Sequence, residues 1–154
     1  NEKAFNEDFH ITGDCVVTWN DILAIIEKIL NKKAIKHNEV PVSCIITKDD
    51  KIISKAYNNK ITKHDPTAHA EIIAIRKAAK KLKTWNLNEC RLYVTLYPCK
   101  MCLDVIKNRV IKVIKNYVRD NEKEINNNVK ITKINSEKNE YFQEELKGFF
   151  KNKR

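Results

Sequence analysis

Residues 69–71 read His-Ala-Glu, and thirty residues after the histidine the chain continues Pro-Cys-Lys-Met-Cys at residues 98–102. One histidine and two cysteines can supply three ligands to a tetrahedral zinc ion and leave its fourth position for water. Glu71 follows the histidine by two residues, where it can move protons without binding the metal. The two motifs predict a hydrolytic zinc site, and the candidate ligands are His69, Cys99 and Cys102.

Both motifs lie where a helix is expected to begin. Asp65-Pro66 is typical of a helix start, because aspartate caps free N–H groups and proline at the first position loses no hydrogen bond. A second helix is expected from Cys99 to Arg109. Helix starts lower the pKa of thiols, and the spacing of the two cysteines puts both sulfurs on one face. His69 and Glu71 can converge only if the helix is irregular at its first residue.

The chemistry expected of this site is hydrolysis with loss of ammonia. Zinc lowers the pKa of a bound water from about 15.7 toward about 7, so hydroxide is available at neutral pH as a nucleophile. Glu71 would take the proton from that water and deliver it to the substrate, as general base and then general acid. Deamination of an aromatic amidine carbon needs these two proton movements.

Each motif alone has a simpler interpretation. A CxxC pair could be a redox couple or half of a structural zinc site, and His-x-Glu occurs by chance. A structural zinc ion usually has four protein ligands, and no motif places the available fourth candidates, Cys90 and His64. Found together at two helix starts, the motifs favour a catalytic metal.

The rest of the chain alternates between helix-like and strand-like patterns. Apolar residues at helical spacing predict a helix from Asn20 to Ile35, capped by Asn20 or Thr18. Further strands are expected at 41–47, 52–57, 91–96, 110–118 and 129–134, a closing helix at 140–150, and polar connections at 58–63 and 119–128. This alternation predicts one α/β layered domain over residues 18–154, preceded by a flexible leader at 1–17.

Composition limits the class of protein. At 154 residues the chain is long enough for one core, and no apolar run approaches a membrane span. No secretory signal is evident, so an intracellular protein is expected, with Cys15, Cys44 and Cys90 as reduced core residues. A net charge of +10 favours a polyanionic partner such as nucleic acid, although lysines dispersed along a chain are weak evidence for it.

The residues around the motifs closely resemble the tRNA-specific adenosine deaminases, a branch of the cytidine-deaminase-like zinc deaminases. The matching strings are Glu39-Val40-Pro41-Val42, Asn58, residues 64–72 and residues 92–102. The resemblance implies a three-layer α/β/α domain with a central mixed sheet of about five strands. It further implies conversion of adenosine to inosine at the wobble position of a tRNA anticodon loop, by a homodimer or a heterodimer with a related subunit.

The resemblance also assigns roles to residues. His69, Cys99 and Cys102 would hold Zn²⁺, Glu71 would shuttle protons, and Asn58 and the backbone of Ala70 would contact the target base. Asn58 also has a simpler interpretation as a turn residue. Two departures from the family's pattern are Tyr97, where a glutamate is usual, and Ser43, where a glycine is usual.

Two other functions remain open on the sequence. The chain could deaminate a free guanine, cytosine or cytidine, in which case the basic surface would be incidental. It could instead be one subunit of a heterodimer. A purely supporting subunit is disfavoured because Glu71, which such subunits typically lack, is present. A tRNA substrate would place the protein in the cytoplasm, and in the nucleus as well in a eukaryote.

Overall fold

A computed structural model describes residues 17–108, 111, 113–118, 130–133 and 138–153. Cys15, most of the expected leader and the connector at 119–128 lie outside these residues. Val17, the last residue of that leader, donates its backbone N–H to the carbonyl of Asp50 at 2.7 Å and packs against the core. Val17 therefore contacts the folded domain, although the sequence analysis placed it in the leader.

The strands form one mixed sheet. They are β1 (Ser43–Lys48), β2 (Lys51–Tyr57), β3 (Cys90–Leu96), β4 (Val113–Val118) and β5 (Lys130–Lys133), in the spatial order β2-β1-β3-β4-β5. β1 pairs antiparallel with β2 and β3, whereas β3–β4 and β4–β5 are parallel. A parallel pair needs a crossover connection, and the helix after β3 supplies it.

The helices cover both faces of this sheet. They are α1 (Trp19–Ile25), continuing through a π-helical segment (Ile26–Asn31) into α2 (Lys32–Lys36), then α3 (Lys60–Lys63), α4 (Ala70–Leu82), α5 (Lys100–Lys107) and α6 (Lys138–Lys151). Thr18 caps α1 in a reciprocal pair with Asp21, so of the two predicted caps Thr18 is the one used.

Alternate strand residues face the two helical layers. Leu92 and Val94 pack with α4 and α5, whereas Tyr93 between them packs with α1 and with Phe142 of α6. Ile45 of β1 joins Tyr93 on the second face. The three-layer α/β/α architecture with a mixed sheet is thus confirmed. Across the described residues, no helix is long and apolar enough to cross a membrane.

The helix predicted to begin at Asp65-Pro66 begins instead at Ala70, with His69 as its N-cap residue. The Asp65 carboxylate accepts hydrogen bonds from the backbone N–H of Thr67 at 2.8 Å and from its hydroxyl at 2.7 Å. This local turn competes with helix formation, a common alternative for aspartate. The prediction of the start was wrong, and it leaves His69 with extended backbone (φ −71°, ψ 151°).

The connection at 58–63, predicted to be a loop, contains the short helix α3. The backbone N–H groups of Lys60 and Thr62 donate hydrogen bonds to the carboxylate of Glu39, which precedes β1. That partner is 21 residues from Lys60 along the chain, so a local sequence pattern cannot indicate it.

Candidate metal centre and substrate cavity

Each motif has one residue in the N-cap position of a helix. His69 is the N-cap residue of α4 and Cys99 that of α5, and each has extended backbone. Cys102 lies in the first turn of α5, fully buried. Because neither cap side chain bonds its own helix, both are available to a ligand.

Three side-chain atoms form a nearly equilateral triangle. His69 Nδ1 lies 3.6 Å from Cys99 Sγ and 3.7 Å from Cys102 Sγ, and the two sulfurs are 3.6 Å apart. Tetrahedral zinc with Zn–S of about 2.3 Å and Zn–N of about 2.0–2.1 Å requires S···S of about 3.8 Å and S···N of about 3.6 Å. The predicted ligands therefore form a group that could hold a metal ion, and its geometry fits zinc.

Neither candidate for a fourth protein ligand belongs to this group. Among the described residues, the cluster consists of His69, Cys99 and Cys102 alone. Cys90 is buried at the opposite end of β3 from Cys99, and His64 is exposed in a left-handed backbone conformation. Three protein ligands and an open position are the pattern of catalytic zinc sites.

Burial and nearby charges shift the pKa values of two of the proposed ligands. Partial burial, and then the charge of Lys60, lower the pKa of His69, which keeps the imidazole neutral as a metal ligand must be. The pKa of Cys102 is raised, chiefly by burial and then by the negative charge of Glu71. For Cys102 the expectation of a lowered pKa was therefore wrong, because burial outweighs the helix dipole. A metal ion would provide the positive charge that a thiolate needs here.

Glu71 is a buried charged residue beside the triangle. Its side chain is 3% exposed, and burial raises its pKa, while its own backbone N–H and the Cys102 thiol act in the opposite direction. The atom Oε2 is buried and finds no hydrogen-bond partner among the described residues. An unpartnered buried carboxylate oxygen is costly in a purely structural position, and a catalytic role is one explanation for it.

Asn58 lines the same cavity as His69, Glu71 and Cys99. It is 7% exposed, and its Oδ1 accepts a hydrogen bond from the N–H of Ala70 at 2.8 Å. This bond uses the side-chain carbonyl, whereas the side-chain NH₂ group is the part of Asn58 that could donate to a base. Ala70 is fully buried, and its N–H is already bonded to Asn58.

A cavity of about 270 Å³ opens beside these residues. His69, Glu71, Cys99 and Asn58 contribute to its wall. The remaining lining comes from residues to which the sequence analysis gave no role at the site: Glu39, Val40, Val42, Lys60, Ile61, Leu96 and Tyr97. Five of these residues, Glu39, Val40, Val42, Leu96 and Tyr97, lie within the strings that match the family, whereas Lys60 and Ile61 carried no such signal.

Comparison with known families identifies the class of this fold and site. The family model of the MafB19-like deaminases matches residues 19–154. The chain belongs to this family. The match includes every residue of the metal group and of the cavity wall.

This MafB19-like deaminase is similar to proteins of two deaminase classes. The tRNA-specific adenosine deaminase of Buchnera aphidicola subsp. Schizaphis graminum (strain Sg) is 38% identical over 129 residues, 77% of this chain and 85% of that protein. The enzyme of the same name from Aquifex aeolicus (strain VF5) is 50% identical over 84 residues, 54% of this chain and 56% of that protein. The chain thus spans little more than half of the Aquifex protein. The guanine deaminase of Bacillus subtilis (strain 168) is 50% identical over 66 residues, 43% of this chain and 42% of that protein.

A solved structure is also similar to this chain. A structure from a study of A-to-I editing by tRNA:A34 deaminases at the wobble position has a TM-score of 0.62 and 30% identity. The match covers 67% of this chain and 79% of that one. The resemblance to the tRNA-specific adenosine deaminases is thereby confirmed.

Proposed function

We propose that this MafB19-like deaminase hydrolyses adenosine to inosine at the wobble position of a tRNA anticodon. The observation that carries the proposal is the triangle of His69, Cys99 and Cys102 with the buried carboxylate of Glu71 beside it, opening into one cavity. Two tRNA-specific adenosine deaminases and a structure concerned with wobble editing are among its relatives. Their activity is what extends the chemistry of the site to tRNA.

His69, Cys99 and Cys102 would hold zinc, which when bound supplies an acidified water as the nucleophile. Glu71 would act as the general base for the attacking water, since burial raises the pKa of its carboxyl and so makes it a better proton acceptor. Glu71 then gives the proton to the leaving amino group. One water is consumed, the C–N bond breaks, and inosine and ammonia are the products.

Asn58 orients the base through its side-chain NH₂ group, while its carbonyl remains bonded to Ala70. A base contact from the Ala70 backbone, as the family's pattern implies, would require this N–H to be shared with Asn58. A base inside a stem-loop reaches such a cavity only after leaving the stack, which single-stranded anticodon loops allow at low cost.

The basic surface supports an RNA substrate. The net charge is +10, and Lys60 lies on the cavity wall near His69, whose pKa it lowers. Phosphate neutralisation by lysines makes RNA affinity dependent on salt. We expect binding of an anticodon stem-loop to weaken steeply between low and high salt, whereas binding of a free base would be nearly insensitive.

A free base is the second candidate substrate, and the guanine deaminase relative is the observation that favours it. The test compares ammonia release from an anticodon stem-loop carrying a wobble adenosine, from free guanine and from cytidine, using zinc-loaded protein. Stem-loop turnover well above free-base turnover supports the proposal. Robust turnover of guanine with none of the stem-loop would replace it with the second candidate.

Assembly and compartment follow as proposals from a tRNA substrate. The deaminase domain comprises residues 18–154 and works as a homodimer or as the catalytic half of a heterodimer, in the cytoplasm and also in the nucleus of a eukaryote. The mass of the native, active particle tests the assembly. A stable and fully active monomer would contradict it.

A further inference from the structure

Glu39 is a buried carboxylate with a role outside the metal group. It precedes β1, is 2% exposed, and lines the same cavity as His69 and Glu71. Its Oε2 accepts the backbone N–H of Lys60 at 3.0 Å, and its Oε1 accepts that of Thr62 at 2.9 Å. Both oxygens are therefore used to hold the backbone of α3.

The short helix α3 depends on this distant partner. It has four residues, far fewer than the roughly 12–15 that an isolated helix needs for even marginal stability. Asn59, in the N-cap position, makes no capping bond with its side chain. Glu39 thus supplies the acceptors that the first N–H groups of a helix lack, and its negative charge suits the positive end of the helix dipole.

The position of α3 determines the shape of the cavity mouth. Lys60 and Ile61 line the cavity, and the Ile61 side chain remains 49% exposed. The N–H of Asp65 donates to the carbonyl of Lys60 at 3.1 Å, and that of Asn59 donates to Ala68, next to His69, at 3.0 Å. The helix is thereby linked to the turn that leads into the metal group.

We propose that Glu39 is a positioning residue for the substrate, which presents α3 as a preformed wall of the cavity. An RNA loop then meets Lys60 and Ile61 already in place, so that α3 loses less conformational entropy when the complex forms. In this proposal Glu39 acts through α3, to which both of its oxygens are bonded, and not on the reacting base. The consequence for substrate binding rests on the proposed function, whereas the hold on α3 does not.

The first test needs no substrate. In Glu39→Gln one oxygen still accepts an N–H, but the other is replaced by an NH₂ group that faces a donor. We expect the amides of Lys60 and Thr62 in zinc-loaded protein to exchange with solvent at least about tenfold faster, with those of α4 unchanged. Glu89→Gln is the control, because Glu89 is exposed, pairs with Lys48 far from the cavity, and its loss changes the net charge equally.

The second test separates binding from chemistry. With an anticodon stem-loop, Glu39→Gln should raise KM about tenfold and change kcat less than about twofold, with wild-type zinc content. Glu89→Gln should leave both values unchanged. Should Glu39→Gln fail to fold, Glu39→Asp, which retracts the carboxylate by one methylene, is measured in the same two ways.

Three results would overturn the proposal: wild-type exchange at Lys60 and Thr62, faster exchange that spreads equally through α4, or a fall in kcat with KM unchanged. The last would mean that Glu39 acts on the reacting base. If the wild-type protein does not turn over the stem-loop, the proposed function fails, and the exchange comparison still decides whether Glu39 holds α3.

Discussion

The side-chain oxygen of Asn58 accepts the backbone N–H of Ala70 at 2.8 Å, and Ala70 lies between His69 and Glu71. The bond ties the residue that follows β2 to the first residue of α4. That N–H is one of the groups that a helix start leaves without an intrahelical partner. One asparagine therefore fixes the residue between the proposed ligand and the proposed proton shuttle.

Substitutions of Asn58 should separate its two roles. Asn58→Ala leaves the Ala70 N–H unpaired and should lower the free energy of unfolding by about 1–3 kcal/mol. Asn58→Asp keeps an acceptor at the start of α4 but loses the NH₂ donor, so it should unfold near the wild-type urea midpoint and still lose activity. Equal activity in Asn58→Asp and the wild type would argue against a base contact from the NH₂ group.

Glu71→Gln should abolish deamination without damage to the fold. The variant keeps the buried volume and removes a desolvated charge, so thermal stability should be unchanged or higher. Ammonia release should fall by at least about 10²-fold, the contribution of a positioned general acid–base group. Zinc content, measured by elemental analysis, should remain at the wild-type level. A variant with full zinc and full activity would refute the proton-shuttle role.

Metal removal should make the thiol of Cys99 accessible to alkylation. Cys99 is exposed and Cys44 is fully buried, so zinc is the expected reason for any protection of Cys99 from alkylation. We expect chelation to make Cys99 reactive while Cys44 stays unlabelled, as read by peptide mass spectrometry. Activity should be lost in parallel and return with added zinc. Equal labelling of Cys99 before and after chelation of zinc-loaded protein would contradict the ligand assignment.

Ser43 should contribute more to the free energy of unfolding than Ser54, which lies in the edge strand β2. Its hydroxyl donates to Asn31 Oδ1 at 2.5 Å, and both residues are fully buried. Ser43→Ala leaves that oxygen without its donor and should cost about 1–3 kcal/mol of unfolding free energy in urea. The control is Ser54→Ala. It removes a hydrogen bond to the Ala74 carbonyl, which lies inside α4, so the decrease in unfolding free energy should be smaller. Equal losses would contradict this account.

Glu145 should make stability depend on pH. Burial raises its pKa, and Glu27 acts in the same direction, while hydrogen bonds from Asn31 and Tyr141 and the charge of Lys32 oppose the shift. A carboxyl whose folded pKa exceeds its unfolded value of about 4.3 favours folding when protonated, and that advantage is lost as pH rises through the folded value.

Glu145→Gln retains an acceptor for the Asn31 amide and removes the charge. Its melting temperature should therefore exceed that of the wild type at pH 7, and the difference should shrink below about pH 4. Thermal unfolding at both pH values measures this. A difference that is the same at pH 4 and pH 7 would exclude titration of Glu145 as its cause.

The features that could be predicted from the sequence are local ones. The β3 strand is an uninterrupted run of strand-forming residues, and the structure has it at Cys90–Leu96, one residue from the expected range. Cys99 and Cys102 are three residues apart, so a single helical turn suffices to bring their sulfurs together. The closing helix and the strands expected at 41–47 and 52–57 were likewise confirmed, since each is set by the residue pattern of its own segment.

Distant partners account for two of the three errors. Helix α3 was missed because the acceptor of its first N–H groups is Glu39, which precedes β1 in the chain, whereas α3 follows β2. The pKa of Cys102 was predicted in the wrong direction because its burial and the proximity of Glu71 follow from packing. The start of α4 was misplaced for a local reason, namely the turn that Asp65 makes with Thr67.

The sequence by itself determined the layered fold, the residue types of the metal group and the family, because periodicity, spacing and motif strings are properties of neighbouring residues. Only the tertiary structure decided that His69, Cys99 and Cys102 meet within 3.7 Å, that Glu71 Oε2 is left without a partner in the described chain, and that Glu39 holds α3 at the cavity. The contacts of His69 with the two cysteines and of Glu39 with α3 join segments more than twenty residues apart. They depend on how helices pack across the sheet, which no local pattern encodes.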